Sequence, residues 1–326
     1  MKKRFLFVAS CLLAAVRAEA EATTVATEAP QFIRVEERDA ATELQTAVVK
    51  FTKGDTEVEL VGAIHIADLK YYEALNRRFE GYEAVLYEGI GGGRPAAPAF
   101  EEREADEERE AAAAEQSAED PVDRERTIEE RVADLEAYVA NAEAAAEEAA
   151  KPKANLDGLH GAYDAGAKWL GLSYQMKEID YRKANFVHAD LSLEEFATLQ
   201  AERKENIVGF MLKAGLQAKK KPVKEPNSFR LLTSIIKGSK NGLKRELVHT
   251  LGAGDDQVAG LAGENVIIGD RNAKCLEVLD REVAAGKRKL CIFYGAAHFP
   301  DMEKRMLQSG WTKAGTEWMT AWDIGR

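Results

Sequence analysis

Two stretches of this chain spell out the same turn, and that duplication constrains the fold more than any other feature. Gly62, Ala63, His65 and Asp68 recur at the same spacing as Gly295, Ala296, His298 and Asp301, and an apolar residue, Leu69 or Met302, closes each copy. A strand-like run precedes each copy, Glu57 to Val61 in the first and Leu290 to Tyr294 in the second, and a helical pattern follows. Strand, turn and helix, twice over, predict an α/β protein. Glycine permits a close backbone approach at the strand end. Histidine then projects from the carboxyl edge of the sheet, where open α/β folds place their sites. Asp68 and Asp301 are expected to cap the helices behind, with Pro300 at the second helix start. One such histidine would be read as a structural residue. Two in matching frames predict one shared polar site.

The rest of the chain is organised around these turns. Met1 to Arg4 is basic, Phe5 to Val16 is apolar, and Ala18-Glu19-Ala20 offers a small-x-small cleavage site, so residues 1–20 are expected to be a signal peptide. The mature chain would then be periplasmic or secreted, with no stable membrane span. Residues 21–43, rich in Ala, Thr and Glu, are expected to be a flexible leader. From residue 44 a hairpin about Gly54 leads into the first turn. Leu69, Tyr72, Leu75 and Phe79 then mark a helix, and Ala84 to Leu86 a buried strand parallel to the first. Residues 44–93 and 264–326 are therefore the α/β core, a mixed sheet, and the Trp/Thr-rich tail from Trp311 to Trp322 reads as two closing strands. Residues 156–263 read as a helical subdomain, with a capping box at Ser192 and Glu195.

Between the halves lies an Ala/Glu-rich insertion, residues 94–155. Residues 100–150 carry 19 acidic and 5 basic side chains, a net of −14 against −11 for the whole chain. The remainder is thus nearly neutral, which excludes a broad basic face for nucleic acid. The start of the insertion is too polar to bury a core. Ile128, Val132, Leu135 and Val139 fall on one helical stripe, which suits a solvated amphipathic helix or a partner-binding one. Cys275 and Cys291 are too few for a disulfide framework; one bridge or two buried thiols both remain open.

Glu88 ends the strand after the first crossover, so it is expected at the same sheet edge as His65. Two imidazoles and a carboxylate, His65, His298 and Glu88, form a set suited to a catalytic divalent metal with open positions. Arg271, at a helix start before the second motif strand, is expected to steady a carboxylate or a developing oxyanion. His160 and His249 lack the turn frame. His188 with Asp190 could line a pocket.

These residues resemble the TraB/PrgY/GumN family, which includes the Tiki-type membrane metalloproteases and is related to erythromycin-esterase and ChaN-like proteins. The resemblance rests on Gly62-x-x-His65, Glu88, the Arg271-Asn272 pair and Gly295-x-x-His298, over residues 45–93 and 264–326. It implies a sheet built from two related halves, both histidines and the glutamate at one site, and proteolysis dependent on a divalent metal such as Mn, Co or Zn. The acidic insertion and the lack of a C-terminal anchor depart from the Tiki pattern.

Three functions follow as expectations. The first is a metal-dependent hydrolase of peptide or protein substrates, with Glu88 either a ligand or a general base. The second is a binding protein that sequesters a peptide, haem or metal. The third is an esterase-like hydrolase that works through histidine without metal. No His-Glu-x-x-His helix is present, which excludes a thermolysin-like zincin. Because the insertion offers little to a core, replacing residues 100–150 with a short flexible linker should leave the thermal midpoint nearly unchanged. A fall of many degrees in calorimetry would show that the stripe packs on the body.

Overall fold

The structure is a computed structural model that describes residues 31–38, 41–92, 166–205, 239–252 and 265–325, with a few isolated positions between 230 and 237. The expected signal peptide, most of the leader, the acidic insertion with its apolar stripe, and His160 lie outside the described residues.

The described residues build a mixed sheet of seven strands: β1 (Ile33–Glu37), β2 (Ala41–Lys53), β3 (Thr56–Ala63), β5 (Ala84–Tyr87), β7 (Phe186–His188), β8 (Lys289–Gly295) and β9 (Thr312–Gly325). β4 (Ile66–Ala67) and β6 (Ser173–Tyr174) pair separately as a short antiparallel ribbon. β2 is the long spine of the antiparallel half. Along one side it pairs with β9 from Ala41 to Thr52, and along the other with β1 and then with β3. Beyond β3 the order is β8, β5, β7, and all four strands are parallel. Their buried residues are mostly apolar, as in strands covered on both faces, while Glu57, Glu59 and Lys289 lie toward the strand starts.

Several boundaries differ from the sequence reading. The leader ends sooner than residue 43, because Phe32 and Ile33 are buried and Ile33–Glu37 pairs with β2. The tail is one strand, β9, whose two register shifts let it follow β2 where two separate strands were expected. The segment 156–263 is not wholly helical: β6 and β7 fall in it, and β7 extends the main sheet. The capping box stands, with Ser192 Oγ accepting from Glu195 N–H (3.1 Å) at the start of a helix that runs to Arg203. No helix of the described residues is long and apolar enough to cross a membrane.

Helix α1 (Leu69–Phe79) follows the first turn, and it buries Tyr71, Tyr72, Leu75 and Phe79 on one stripe. Burying Leu75 and Phe79 contributes roughly 1.5–3 kcal/mol each. The two tyrosines also serve the turn. Tyr71 donates to the carbonyl of Gly62 (2.7 Å) and Tyr72 to that of Ile64 (3.1 Å), so both sides of the bend before His65 are tied to the helix. From the other direction Trp322 of β9 donates to the carbonyl of Ile66 (2.7 Å). Asp68 makes no side-chain cap. Its carboxylate instead accepts from Lys244 (3.1 Å) and from the Asp323 backbone (2.6 Å), which fastens the segment to β9 and to the helix Lys240–Gly252.

The two turns touch each other. A Cβ on Gly62 would stand 3.1 Å from the Ala47 carbonyl oxygen and 3.3 Å from the Ala296 side chain of the second turn. Gly62→Ala should therefore cost about 1–3 kcal/mol by overpacking. Gly315→Ala, where nothing lies within 4 Å, should change stability by less than about 0.5 kcal/mol. Urea unfolding of both variants tests the contact, and equal midpoints would show that the turns do not press together.

Candidate active site

Four adjacent parallel strands end together, and each delivers one chemical group. His65 follows β3, Glu88 directly follows β5, Asp190 lies two residues past β7, and β8 ends at Gly295, three residues before His298. The register sets this convergence: Ala63 pairs with Gly295, and Tyr87 with Phe293. The first crossover is parallel as expected, but β3 and β5 are not neighbours. β8 lies between them, which places the second turn between His65 and Glu88.

Arg271 and Asn272 enter from the helix Arg271–Ala284. Its buried face runs Arg271, Asn272, Cys275, Val278, Leu279, so the two polar residues head an otherwise apolar stripe. Asp270 precedes the helix without a side-chain cap, since it closes a wide turn over Val266–Asp270 and pairs with Arg203 (2.7 Å).

The Arg271 guanidinium spends all five of its N–H groups. Nε donates to Asp190 Oδ1 (2.9 Å), and Nη2 donates to Asp190 Oδ2 (2.6 Å) and to Glu88 Oε1 (2.7 Å). Nη1 donates to the Ile267 carbonyl and to His298 Nε2, each at 3.3 Å. Five donors meet five acceptors. This fits the expected task of steadying a carboxylate and leaves no N–H over for an oxyanion in this arrangement.

Glu88 is fixed at both oxygens. Oε2 accepts from the Gly295 backbone N–H (2.7 Å), and a Cβ on Gly295 would stand 3.3 Å from it, which is the close approach that calls for glycine here. Burial alone would raise the Glu88 carboxyl, but Arg271, His298 and His65 outweigh it and hold the group well below the usual carboxylate range. Arg271 is likewise kept charged: burial opposes its charge, and Asp190 and Glu88 more than compensate.

His298 is buried, and its tautomer is set by its neighbours. Asn272 donates from Nδ2 to the His298 carbonyl (3.0 Å) and to Asp301 Oδ2 (2.9 Å), so its Oδ1 accepts from His298 Nδ1–H (2.6 Å). The lone pair therefore sits on Nε2, 3.5 Å from Glu88 Oε1. Tyr294 packs edge-on against the ring at 5.2 Å and donates to the Ala189 carbonyl. Asp301 is no helix cap. It lies within the first turn of the helix Phe299–Gln308 and links Asn272 to Arg305.

The structure thus brings Glu88, Arg271, Asn272, Asp190 and His298 into one bonded cluster, with half-buried His65 close enough to influence Glu88. His188 stands apart: its Nε2–H donates to the Gly89 carbonyl (2.6 Å), which ties β7 to the loop after Glu88. Asp190 was only a pocket candidate, yet it is fully buried and also accepts from the Gly89 and Leu191 backbones. Tyr294, Gln175 and Tyr181 were not singled out. Cys275 and Cys291 are both buried as free thiols, pushed well up by that burial.

The donors do not fit a divalent metal as they stand. Arg271 already holds Glu88 Oε1 and faces the His298 lone pair, so a metal bound there would meet a fixed positive charge. Among the described residues no group of three or more His, Cys, Asp or Glu could hold a metal ion. No protein-family model matches the chain, nor does any curated protein or solved structure.

A pH test follows from Glu88. Its folded carboxyl lies below the unfolded value of about 4.3, so it stabilises the fold fully above that pH, and the contribution fades as pH falls towards the folded value. Urea midpoints measured from pH 7 down to pH 3 should drop more steeply below about pH 4.5 in the wild type than in Glu88→Gln. Parallel curves would mean that Arg271 does not hold the carboxylate down.

Proposed function

We propose that this chain is an exported hydrolase that cleaves peptide bonds, with His298 as the general base of the cluster that His65, Glu88, Arg271 and Asp190 complete. One observation carries the reading: Asn272 turns the ring so that the Nε2 lone pair lies beside an ionised carboxylate at the carboxyl edge of the sheet. We read the two strand–turn–helix units as related halves, as the likeness to the TraB/PrgY/GumN family implies.

In this reading water attacks the scissile carbonyl and gives its proton to His298 Nε2. Glu88, kept ionised by Arg271, balances the imidazolium 3.5 Å away. Once Nε2 is protonated it no longer accepts from Arg271 Nη1, which releases one N–H towards the oxyanion. The tetrahedral carbon then loses its nitrogen, which takes the proton back from Nε2. His65, at the half-buried margin, orients the substrate carbonyl.

A second reading, the divalent-metal-dependent peptidase that the resemblance implies, draws support from the same Asn272 contact. Imidazole ligands usually donate their other ring N–H in this way. It requires Arg271 to release Glu88.

A peptide pool and a matched ester pool, offered to the mature chain with chelator and with added Mn, Co or Zn, separate these readings. Turnover should survive chelation and fall about 10²–10⁴-fold in His298→Ala. Activity lost on chelation and restored by one metal would establish the second reading. Binding of peptide or haem without turnover under any condition would establish a sequestering protein.

A further inference from the structure

Two buried side-chain oxygens lack a hydrogen-bond partner among the described residues: Asp270 Oδ2, whose carboxylate pairs with Arg203 through Oδ1, and Oε1 of Gln175, beside the first motif histidine. Gln175 is only 6% exposed and begins the short helix Gln175–Glu178. Its backbone N–H donates to the His65 carbonyl (2.9 Å), which fixes it one hydrogen bond from the first motif histidine. The ribbon of β4 and β6 holds the two segments together just there, with Ile66 paired to Tyr174.

The amide has only half its bonding met. Gln175 Nε2 donates to the Tyr181 hydroxyl (2.8 Å), and Oε1 is left over. Tyr181 is itself buried, its ring packed on Tyr87 (5.1 Å) and Phe293 (6.4 Å), the strand residues beside Glu88 and the second turn. The hydroxyl accepts from Gln175 and still carries its own proton as a donor. Burial first, then the charge of Glu88 among others, pushes the hydroxyl up and keeps that proton in place. Native proteins leave few buried polar groups unmet, and each that persists calls for an explanation, a role at a functional site among them.

The pair therefore offers one acceptor and one donor side by side, next to the catalytic cluster. A peptide unit carries the complement, an N–H and a C=O. We propose that Gln175 Oε1 and the Tyr181 hydroxyl form a subsite that grips one peptide unit of the ligand, with Oε1 accepting its N–H and Tyr181 donating to its carbonyl. The subsite rests on reading the His298–Glu88 cluster as the ligand site. An ester in the same position has no N–H, so Gln175 sets the preference for amides.

The test uses a pool of N-acetyl tripeptide amides and its backbone N-methylated counterpart, titrated calorimetrically into the full chain, so that no turnover is needed. The wild type should bind the N–H pool at least tenfold more tightly than the methylated pool. Gln175→Leu should erase that preference while its unfolding midpoint changes little, because the unmet oxygen that goes offsets the lost Nε2–Tyr181 hydrogen bond. Tyr181→Phe removes only the hydroxyl, and it should weaken both pools alike. If Gln175→Leu fails to fold, Tyr181→Phe and the wild-type comparison still decide. Equal affinity for the two pools, binding of neither, a preference that survives Gln175→Leu, or Tyr181→Phe binding as tightly as the wild type would each overturn the subsite. Preference without turnover would retire the hydrolase reading and leave the subsite standing; turnover without preference would do the reverse.

Discussion

Arg271 carries a full positive charge where water scarcely reaches, and the site is arranged around meeting that cost. A buried guanidinium is tolerable only when every N–H finds an acceptor and counter-charge is at hand. Asp190 and Glu88 supply the charge, and they come from two neighbouring strands, β7 and β5. One side chain thereby fixes the spacing of strand ends that the backbone ladder alone would leave looser. The same demand explains why Asp190 is wholly buried and why the Gly89 and Leu191 amides turn inward to it.

The second requirement is access at close range. Glu88 reaches a backbone amide because residue 295 has no side chain, and Ala296 reaches Gly62 for the same reason. Each glycine thus admits a neighbour to its own turn: Gly295 receives the carboxylate of Glu88 from the end of β5, and Gly62 the methyl group of Ala296 from the other turn. Tyr71, Tyr72 and Trp322 then hold the first bend from outside, while Asn272 holds the second. Each histidine is positioned by hydrogen bonds to the main chain around it, which suits a group whose orientation matters more than its mobility.

Much of this was legible in the sequence because the decisive features are local. The repeated Gly-Ala-x-His turn, the strand ending at Glu88, the helix from Leu69 and the capping box at Ser192 are all short-range patterns, and the structure has them. What was not legible depends on distant partners. Phe186-Val187-His188 is too short to declare itself a strand, so Asp190 could not be assigned to the sheet edge. Phe32 and Ile33 sit in an Ala/Thr/Glu-rich stretch whose composition masks them. Asp68 and Asp301 look like caps until Lys244, Asp323 and Asn272 arrive from far along the chain. The role of Arg271 was half visible: its direction could be inferred from Glu88, but its exhausted set of donors could not.

The position of β8 has a consequence for the order of assembly. It is made more than 200 residues after β3, yet it must slot between β3 and β5, strands that are synthesised early. Until then both of those strands present bare edges, with unpaired amides along Leu60 to Ala63 and Ala84 to Tyr87. A nascent chain of this topology gains its central pairing last and by long-range search, which slows folding and prolongs exposure to edge-to-edge association. Until residues 289–295 have been made, this geometry favours any holding factor that keeps the two edges apart.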